Sequence, residues 1–404
     1  MSSARLTCWR DGYGIGNDTY IIASDDFNCA DHFLDCECPP LQADPDVAGV
    51  GVILAFVVSA SLTLIMTVVC LLLCRSPNEV TFNPVDRVLR QTVCHYVQQW
   101  VNPSRSKAWS QVLHDMVICL SDQQLVTGIA LLVACIKLLS DSPITVYHFT
   151  VASDLVWFSS NTHLLSLILV RSFDQSVKPY GLMQSADPNT TRHKEDLRPM
   201  RKLPKIYRAL LMVLLAGMLL YVSWVSGYAY WYDNYSCPAK CTIPYAKGGE
   251  PVIWTVISFV FILVEYPVEL FMLWTPGRVY WMNHLRPKLI DEQSLEIGGR
   301  PAHEKPHQKE SSARKAFRRL LLGLWYLVSS ETGNVVVQIV WHGLGYWWLF
   351  SDRTLGQSEW MTADQAAEEN GLSFGQLVPL LLLLLLIMQL LESVGEMKNQ
   401  ASTE

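Results

Sequence analysis

The sequence predicts an all-α polytopic membrane protein with seven transmembrane helices, its N-terminus outside and its C-terminus cytoplasmic. Three observations predict this fold class: seven long apolar stretches, basic residues sorted onto alternate loops, and cysteines grouped on the predicted exoplasmic side. Half of the residues are hydrophobic and only 17% are charged, which is typical of a membrane protein rather than a soluble one.

Each apolar stretch is long enough to cross a bilayer, which takes about 20 helical residues. Because lipid offers an open backbone no hydrogen-bond partners, we expect every span to be helical. The predicted spans divide the chain into an exoplasmic segment (1–46), a membrane domain (47–397) and a cytoplasmic tail (398–404). The spans cover residues 47–74, 116–139, 146–170, 209–231, 252–275, 320–350 and 372–394.

The orientation follows from the basic residues. Of the 31 Lys and Arg, 25 fall on the three loops and the tail that an outside N-terminus makes cytoplasmic, as the positive-inside rule requires. This topology predicts that the protein is embedded in the lipid bilayer of the plasma membrane or the endoplasmic reticulum. The basic loops offer a surface for a cytoplasmic protein partner, and because topology explains their charge, nucleic-acid binding is not expected.

Cysteine placement supports the same orientation. An even number of cysteines in the oxidising compartment predicts disulfides. Cys36 and Cys38 are too close for an easy mutual bridge, so each is expected to pair elsewhere, and one bond could join the N-terminal segment to the loop with Cys237 and Cys241. The remaining pairing is open. The six candidates are Cys8, Cys29, Cys36, Cys38, Cys237 and Cys241.

Three glycosylation sequons test the topology. Asn17 and Asn234 lie on the predicted exoplasmic side and are expected to accept sugar, although Asn234 is close to the fourth span. Asn189 lies in a predicted cytoplasmic loop and is not expected to be glycosylated.

Two segments between spans carry further patterns. Apolar residues at helical spacing, after Pro84 in a first-turn position, predict an amphipathic helix over residues 84–100 at the cytoplasmic interface. The loop 291–312 is rich in Glu, Lys, His, Pro and Gly, which predicts a flexible linker. Its His303 and His307 have no accompanying thiol or carboxylate cluster, so neither a metal nor a cofactor is predicted.

Function is expected to depend on polar residues inside the spans, because ionisable groups at membrane depth are costly and usually face the bundle interior. No Lys or Arg lies deep in any span, so the acids are expected to be protonated, paired with polar neighbours or bound to a cation. Glu265, Glu331 and Asp154 are the catalytic candidates, with Glu265 and Glu331 predicted at similar depth. The predicted binding cavity comprises Asp122, Asp154, Asn161, Glu265, Glu269, Glu331, Asn334 and Gln338.

Several short motifs resemble an uncharacterised group of seven-span membrane proteins from filamentous fungi. The resemblance implies the architecture and a fungal source rather than a reaction, and some genes of that group lie in biosynthetic clusters. The motifs are LSDQQLVTG at 120–128, YH at 147–148, WFSS at 157–160, THL at 162–164 and GQLVP at 375–379.

Three classes of function remain open at this stage. The first is a receptor-like or accessory membrane protein, linked to a fungal biosynthetic pathway and binding a lipidic or small-molecule ligand. The second is a membrane-embedded enzyme of the terpenoid-cyclase type, in which buried carboxylates act as acid catalysts. The third is a transporter or proton-linked channel, in which a cavity carboxylate supports ion-dependent flux.

Overall fold

The computed structural model describes residues 5–9, 19–23, 35–73, 84–101, 103–141, 144–173, 198–273 and 330–403. The elements of regular secondary structure in the described part are helices except for two short antiparallel strands, β1 (Arg5–Trp9) and β2 (Thr19–Ala23). The predicted linker 291–312, Asn17, Asn189 and Cys29 lie outside the described residues.

A long helix forms at each of the seven predicted apolar stretches. Among the described residues, four segments are long and apolar enough to cross a membrane: Pro45–Leu73, Ala108–Ser140, Ile206–Ser226 and Ile253–Leu273. The all-α class and the presence of membrane-spanning helices are therefore supported, whereas the count of seven spans and the orientation stay predictions. The long helices are α2 (Val50–Leu73), α5 (Pro103–Asp141), α6 (Val146–Phe173), α7 (Arg198–Ser226), α10 (Ile253–Leu273), α11 (Glu331–Leu355) and α13 (Phe374–Thr403).

Short elements connect and flank these helices. Two of them are π-helical turns, Arg90–Cys94 and Gly356–Trp360. The short α-helices are α1 (Pro45–Ala48), α3 (Pro84–Leu89), α4 (His95–Gln99), α8 (Ala229–Tyr232), α9 (Ala239–Ala246) and α12 (Ala363–Asn370).

Helix α6 lies at the centre of the bundle and packs against α2, α5, α7, α10 and α11. Its side chains are buried along almost the whole length between Val146 and Leu169. Gly128 of α5 permits one of these close approaches, since a Cβ there would lie 2.4 Å from the Ser159 hydroxyl. Because other helices rather than lipid surround α6, it can carry polar residues that a lipid-facing helix could not.

Helix α11 begins later than the sixth predicted span. The Ser330 hydroxyl accepts the Gly333 N–H at 2.7 Å, and the Asp86 carboxylate accepts the N–H groups of Glu331 and Thr332 at 3.1 and 2.9 Å. Glu331 therefore lies in the first turn, where an acid is favoured by the helix dipole. Residues 320–329 of the predicted span lie outside the described residues, so the depth of Glu331 within that span stays a prediction.

The predicted helix over residues 84–100 forms as α3, a π-helical turn and α4. Asp86 and Cys94 are buried, while Val88, Tyr96 and Trp100 are exposed. A row of exposed large apolar side chains is the surface that a helix in a membrane interface presents. The interfacial location itself stays a prediction.

Disulfides tie down one end of the bundle. Cys8 pairs with Cys36, Cys38 pairs with Cys237, and Cys241 is also disulfide-bonded. Two predictions are confirmed: Cys36 and Cys38 pair elsewhere, and the N-terminal segment is joined to the loop after α7. We call this the disulfide end; α6 and α10 run away from it, and α11 runs towards it.

Candidate functional site

Helices α6, α10 and α11 meet around three aromatic rings in the bundle interior. The Trp157 ring centroid lies 5.4 Å from that of Trp341 and 5.9 Å from that of Phe261. Phe261 and Trp341 are themselves 4.9 Å apart. Each helix contributes one ring, so the triangle fixes how the three helices are aligned.

The same alignment brings two amide side chains level with each other. On α6, Asn161 lies midway between Trp157 and Leu165. Helix α11 runs antiparallel to α6, and on it Gln338 lies midway between Trp341 and Val335. Trp157 contacts Trp341, and Leu165 packs in one cluster with Val335. Residues three or four apart share a helix face, so Asn161 and Gln338 lie on the facing sides of α6 and α11.

These amides are buried without hydrogen-bond partners. Asn161 and Gln338 are each 2% exposed, and both the nitrogen and the oxygen of each amide are unpaired in the described structure. The indole N–H of Trp157 and the side-chain oxygen of Asn334 are unpaired as well. We call these four residues the amide site. A buried polar group left unpaired costs about 1–3 kcal/mol, so the site is incomplete without a bound molecule or water.

Helix α10 supplies the third wall of this region. Glu269 accepts a hydrogen bond from the Asn334 amide at 3.0 Å, and the hydroxyls of Tyr266 and Ser160 lie 2.7 Å apart. On α10, Glu265 lies midway between Phe261 and Glu269, which places it level with Gln338. The Glu265 side chain is not without an interaction partner. Five of the eight predicted cavity residues thus come together: Asn161, Glu265, Glu269, Asn334 and Gln338.

The remaining three predicted cavity residues lie elsewhere. Glu331 is at the capped start of α11, and Asp154 lies nearer the disulfide end. Asp122 accepts two hydrogen bonds from Arg208, at 2.7 and 2.5 Å. The prediction that no acid has a basic partner is therefore wrong for Asp122, because Arg208 precedes its predicted span by one residue but is within α7.

Asp154 belongs to a carboxyl pair that the sequence did not reveal. Its carboxyl group lies beside that of Asp352, and two carboxyl groups so close do not both ionise readily. The Tyr235 hydroxyl donates to Asp352 at 2.8 Å. Burial raises the pKa of Asp352 above its usual range, although its hydrogen bonds act in the opposite direction. Asp352 escaped prediction because it follows the apolar stretch that marks its helix.

A third buried acid, Glu369 of α12, closes the disulfide end. It accepts hydrogen bonds from the Tyr147 hydroxyl at 2.6 Å and the Gln357 amide at 3.0 Å, and lies 3.3 Å from the His148 ring. Burial by itself would raise the pKa of Glu369, but these hydrogen bonds outweigh it and lower the pKa. Gly356 leaves room for the Tyr147 ring, which a Cβ would contact at 2.2 Å. The one sequence signal for this network was the polar pair Tyr147 and His148 at the start of an otherwise apolar span, which indicates that a polar partner is buried beside them.

The described residues contain no group of three or more His, Cys, Asp or Glu side chains that could hold a metal ion. The site chemistry in this part of the chain therefore consists of amides, hydroxyls, an indole and carboxyl groups, set among aromatic rings.

Comparisons with known proteins give one point of reference. The chain is 32% identical over 151 residues to the "Elsinochromes biosynthesis cluster protein HP3" of Elsinoe fawcettii. The match covers 37% of this chain and 55% of that protein, so the chain spans about half the length of the curated relative it matches. No family model matches the chain, and no solved structure matches it. The similarity fits a link to a fungal biosynthetic pathway and leaves the molecular activity open.

Proposed function

We propose that this protein is a multi-pass membrane protein with a receptor-like or accessory role in a fungal biosynthetic pathway, where it binds a small molecule at the amide site. It belongs in this proposal to the seven-span fungal group that its motifs resemble, with the N-terminus outside. The observation that carries the proposal is the pair of buried, unpaired amides, Asn161 and Gln338.

The physical argument concerns cost. Amides that only joined helices would bond to groups on neighbouring helices, as the Asn334 amide nitrogen does with Glu269. Asn161 and Gln338 lack such bonds in the described structure, and the energy is recovered when a ligand supplies them. The membrane-spanning helices and the similarity to a biosynthetic cluster protein support the setting.

Gene replacement in the producing fungus tests this function. Deleting the gene should change the yield or composition of the product of its biosynthetic cluster, and a gene carrying Asn161→Leu with Gln338→Met should reproduce the deletion. Gln99→Met is the matched control, since Gln99 is an exposed amide on α4. An unchanged product after deletion would refute the pathway role, and normal product from the double variant would refute the role of the amide site.

A second function, a membrane-embedded acid catalyst of the terpenoid-cyclase type, is favoured by the Asp154–Asp352 pair. A carboxyl pair that holds one proton can deliver it to a substrate alkene or epoxide. Asp154→Asn should then abolish product while the protein still accumulates in membranes. Unchanged product from this variant would eliminate the acid-catalyst alternative and leave the binding role.

A further inference from the structure

We infer that the amide site takes an uncharged, flat aromatic molecule that carries both hydroxyl and carbonyl groups. This inference rests on the proposed function and assigns the chemical class of its ligand. It follows from three properties of the site: the balance of its unpaired groups, their neutrality, and the rings beside them.

The unpaired groups are mixed in kind. Asn161 and Gln338 each present an amide N–H₂ and an amide oxygen, Trp157 adds an N–H donor, and Asn334 adds an acceptor oxygen. A ligand that offered only acceptors, such as a ketone, would leave three oxygens unpaired. One that offered only donors would leave the nitrogens unpaired. Both amides are fully matched only by a molecule with donors and acceptors.

The unpaired groups are also uncharged. The neighbouring carboxylate of Glu269 already binds the Asn334 amide, and Glu265 engages other groups. A charged ligand would have to leave water for a site whose open positions are neutral dipoles, which costs far more than burying an uncharged molecule.

The rings indicate a flat ligand. Trp157 and Trp341 are each one helical turn from an unpaired amide, and Phe261 completes the triangle. Aromatic side chains favour offset-stacked or edge-on contact with another ring, at about 4.5–7 Å between centroids. A ring-bearing molecule held by Asn161 and Gln338 would lie beside these three side chains.

Three two-ring probes separate the contributions: umbelliferone, which has a hydroxyl and a carbonyl, coumarin, which has the carbonyl only, and naphthalene, which has neither. Equilibrium dialysis against the full chain in lipid nanodiscs, at mildly acidic pH where umbelliferone is neutral, gives the affinity of each. We expect umbelliferone to bind best and naphthalene worst, with roughly a fivefold to tenfold step for each polar group matched.

Variants then locate the site. Asn161→Leu and Gln338→Met should each weaken umbelliferone binding roughly tenfold and leave naphthalene binding unchanged, while Gln99→Met changes neither. Equal affinities of the three probes, no binding of any of them, or undiminished umbelliferone binding by both variants would overturn the inference. If a variant fails to fold, the order of the three probes on the unaltered protein decides alone.

The outcome is independent of the gene replacement. A pathway product that depends on the amide site, combined with a failed probe series, would refute the ligand class and keep the proposed function. A successful probe series combined with an unchanged pathway product would keep the ligand class and refute the proposed pathway role.

Discussion

The disulfide end and the amide site both bury polar side chains, yet they treat them in opposite ways. Glu369 at the disulfide end is surrounded by Tyr147, Gln357 and His148. Asn161 and Gln338 have no partner in the described part of the bundle interior. The difference indicates that the first region is complete in the protein alone, whereas the second is arranged for a molecule that is added.

Further contacts at the disulfide end follow the same pattern. The Gln376 side chain accepts the Gly51 N–H at 2.7 Å and donates to the Gly371 carbonyl at 2.8 Å, so one amide joins α13 to α2 and to the end of α12. This amide uses both of its polar atoms. Gln338 is equally buried and uses neither, so burial alone does not explain the contrast.

Removing the Cys38–Cys237 bond should have the largest effect on stability. Cys38→Ser removes a bond between the N-terminal segment and a loop 199 residues away, and losing a disulfide of this kind costs about 2–5 kcal/mol. Thermal unfolding in detergent, followed by tryptophan fluorescence, measures it. Cys119→Ser is the control, because Cys119 forms no disulfide. Equal melting temperatures for the two variants would show that the bond does not stabilise the disulfide end.

Glu369→Gln should destabilise the protein by about 1–3 kcal/mol at neutral pH. The amide N–H₂ of the new glutamine would face the Tyr147 hydroxyl and the Gln357 amide, which are themselves hydrogen-bond donors to Glu369. The lowered pKa of Glu369 also sets the pH dependence. Its stabilisation is present above its usual pKa of about 4.3 and is lost as the pH falls through the lower folded value. The melting-temperature difference between the variant and the unaltered protein should therefore shrink in acid.

The control for Glu369 is its neighbour. Glu368 is exposed on the same helix, so Glu368→Gln should change stability by less than about 0.5 kcal/mol at any pH. A variant at Glu369 that behaved like the one at Glu368 would remove the distinction between a completed network and an ordinary surface acid.

Asp352→Asn should show the opposite pH dependence. The raised pKa of Asp352 means that stability falls as the pH rises from its usual value of about 3.9 towards the folded value, because ionising the buried group costs energy. The asparagine variant does not ionise, so it should match the unaltered protein in acid and exceed it in stability at neutral pH. A loss of stability at neutral pH would show that the carboxylate is needed in its charged form.

Asn161→Leu should produce the smallest change, and in the reverse direction to Glu369→Gln. Replacing an unpaired buried amide by an apolar side chain of similar size removes a desolvation cost, so the ligand-free protein should gain about 0.5–1 kcal/mol. The same melting assay measures it, with Gln99→Met as the control. A loss as large as that of Glu369→Gln would mean that Asn161 is already satisfied, and the comparison between the two regions would fail.

Hydrophobic runs were sufficient to predict where the long helices form, because burial in lipid and burial in a bundle select the same residues. The cap of α11 at Ser330 was not predicted, since Asp86 and Ser330 form it through contacts that an apolar pattern does not encode. A bond from the N-terminal segment to the loop with Cys237 and Cys241 could be anticipated from compartment and spacing, whereas the pairs themselves, Cys38–Cys237 and Cys8–Cys36, needed the structure.

The candidate site was predictable only where its residues share a helix with an apolar pattern. Gln338 and Asn334 were visible as a polar stripe on α11, and Asn161 as an amide within an apolar stretch. Their mutual placement depends on the alignment of α6 with α11, which the aromatic contacts set. Glu369 and Asp352 were missed because both follow the apolar stretch in sequence and reach the interior through tertiary packing.

The Cys38–Cys237 bond also constrains the order of events during synthesis. Its two cysteines are 199 residues apart, and at about 5–20 residues per second the second emerges roughly 10–40 s after the first. Helices α2, α5, α6 and α7 are all made in that interval. The bond that holds the N-terminal segment therefore forms only after these four helices have been made, so correct pairing of Cys38 depends on how the bundle is assembled.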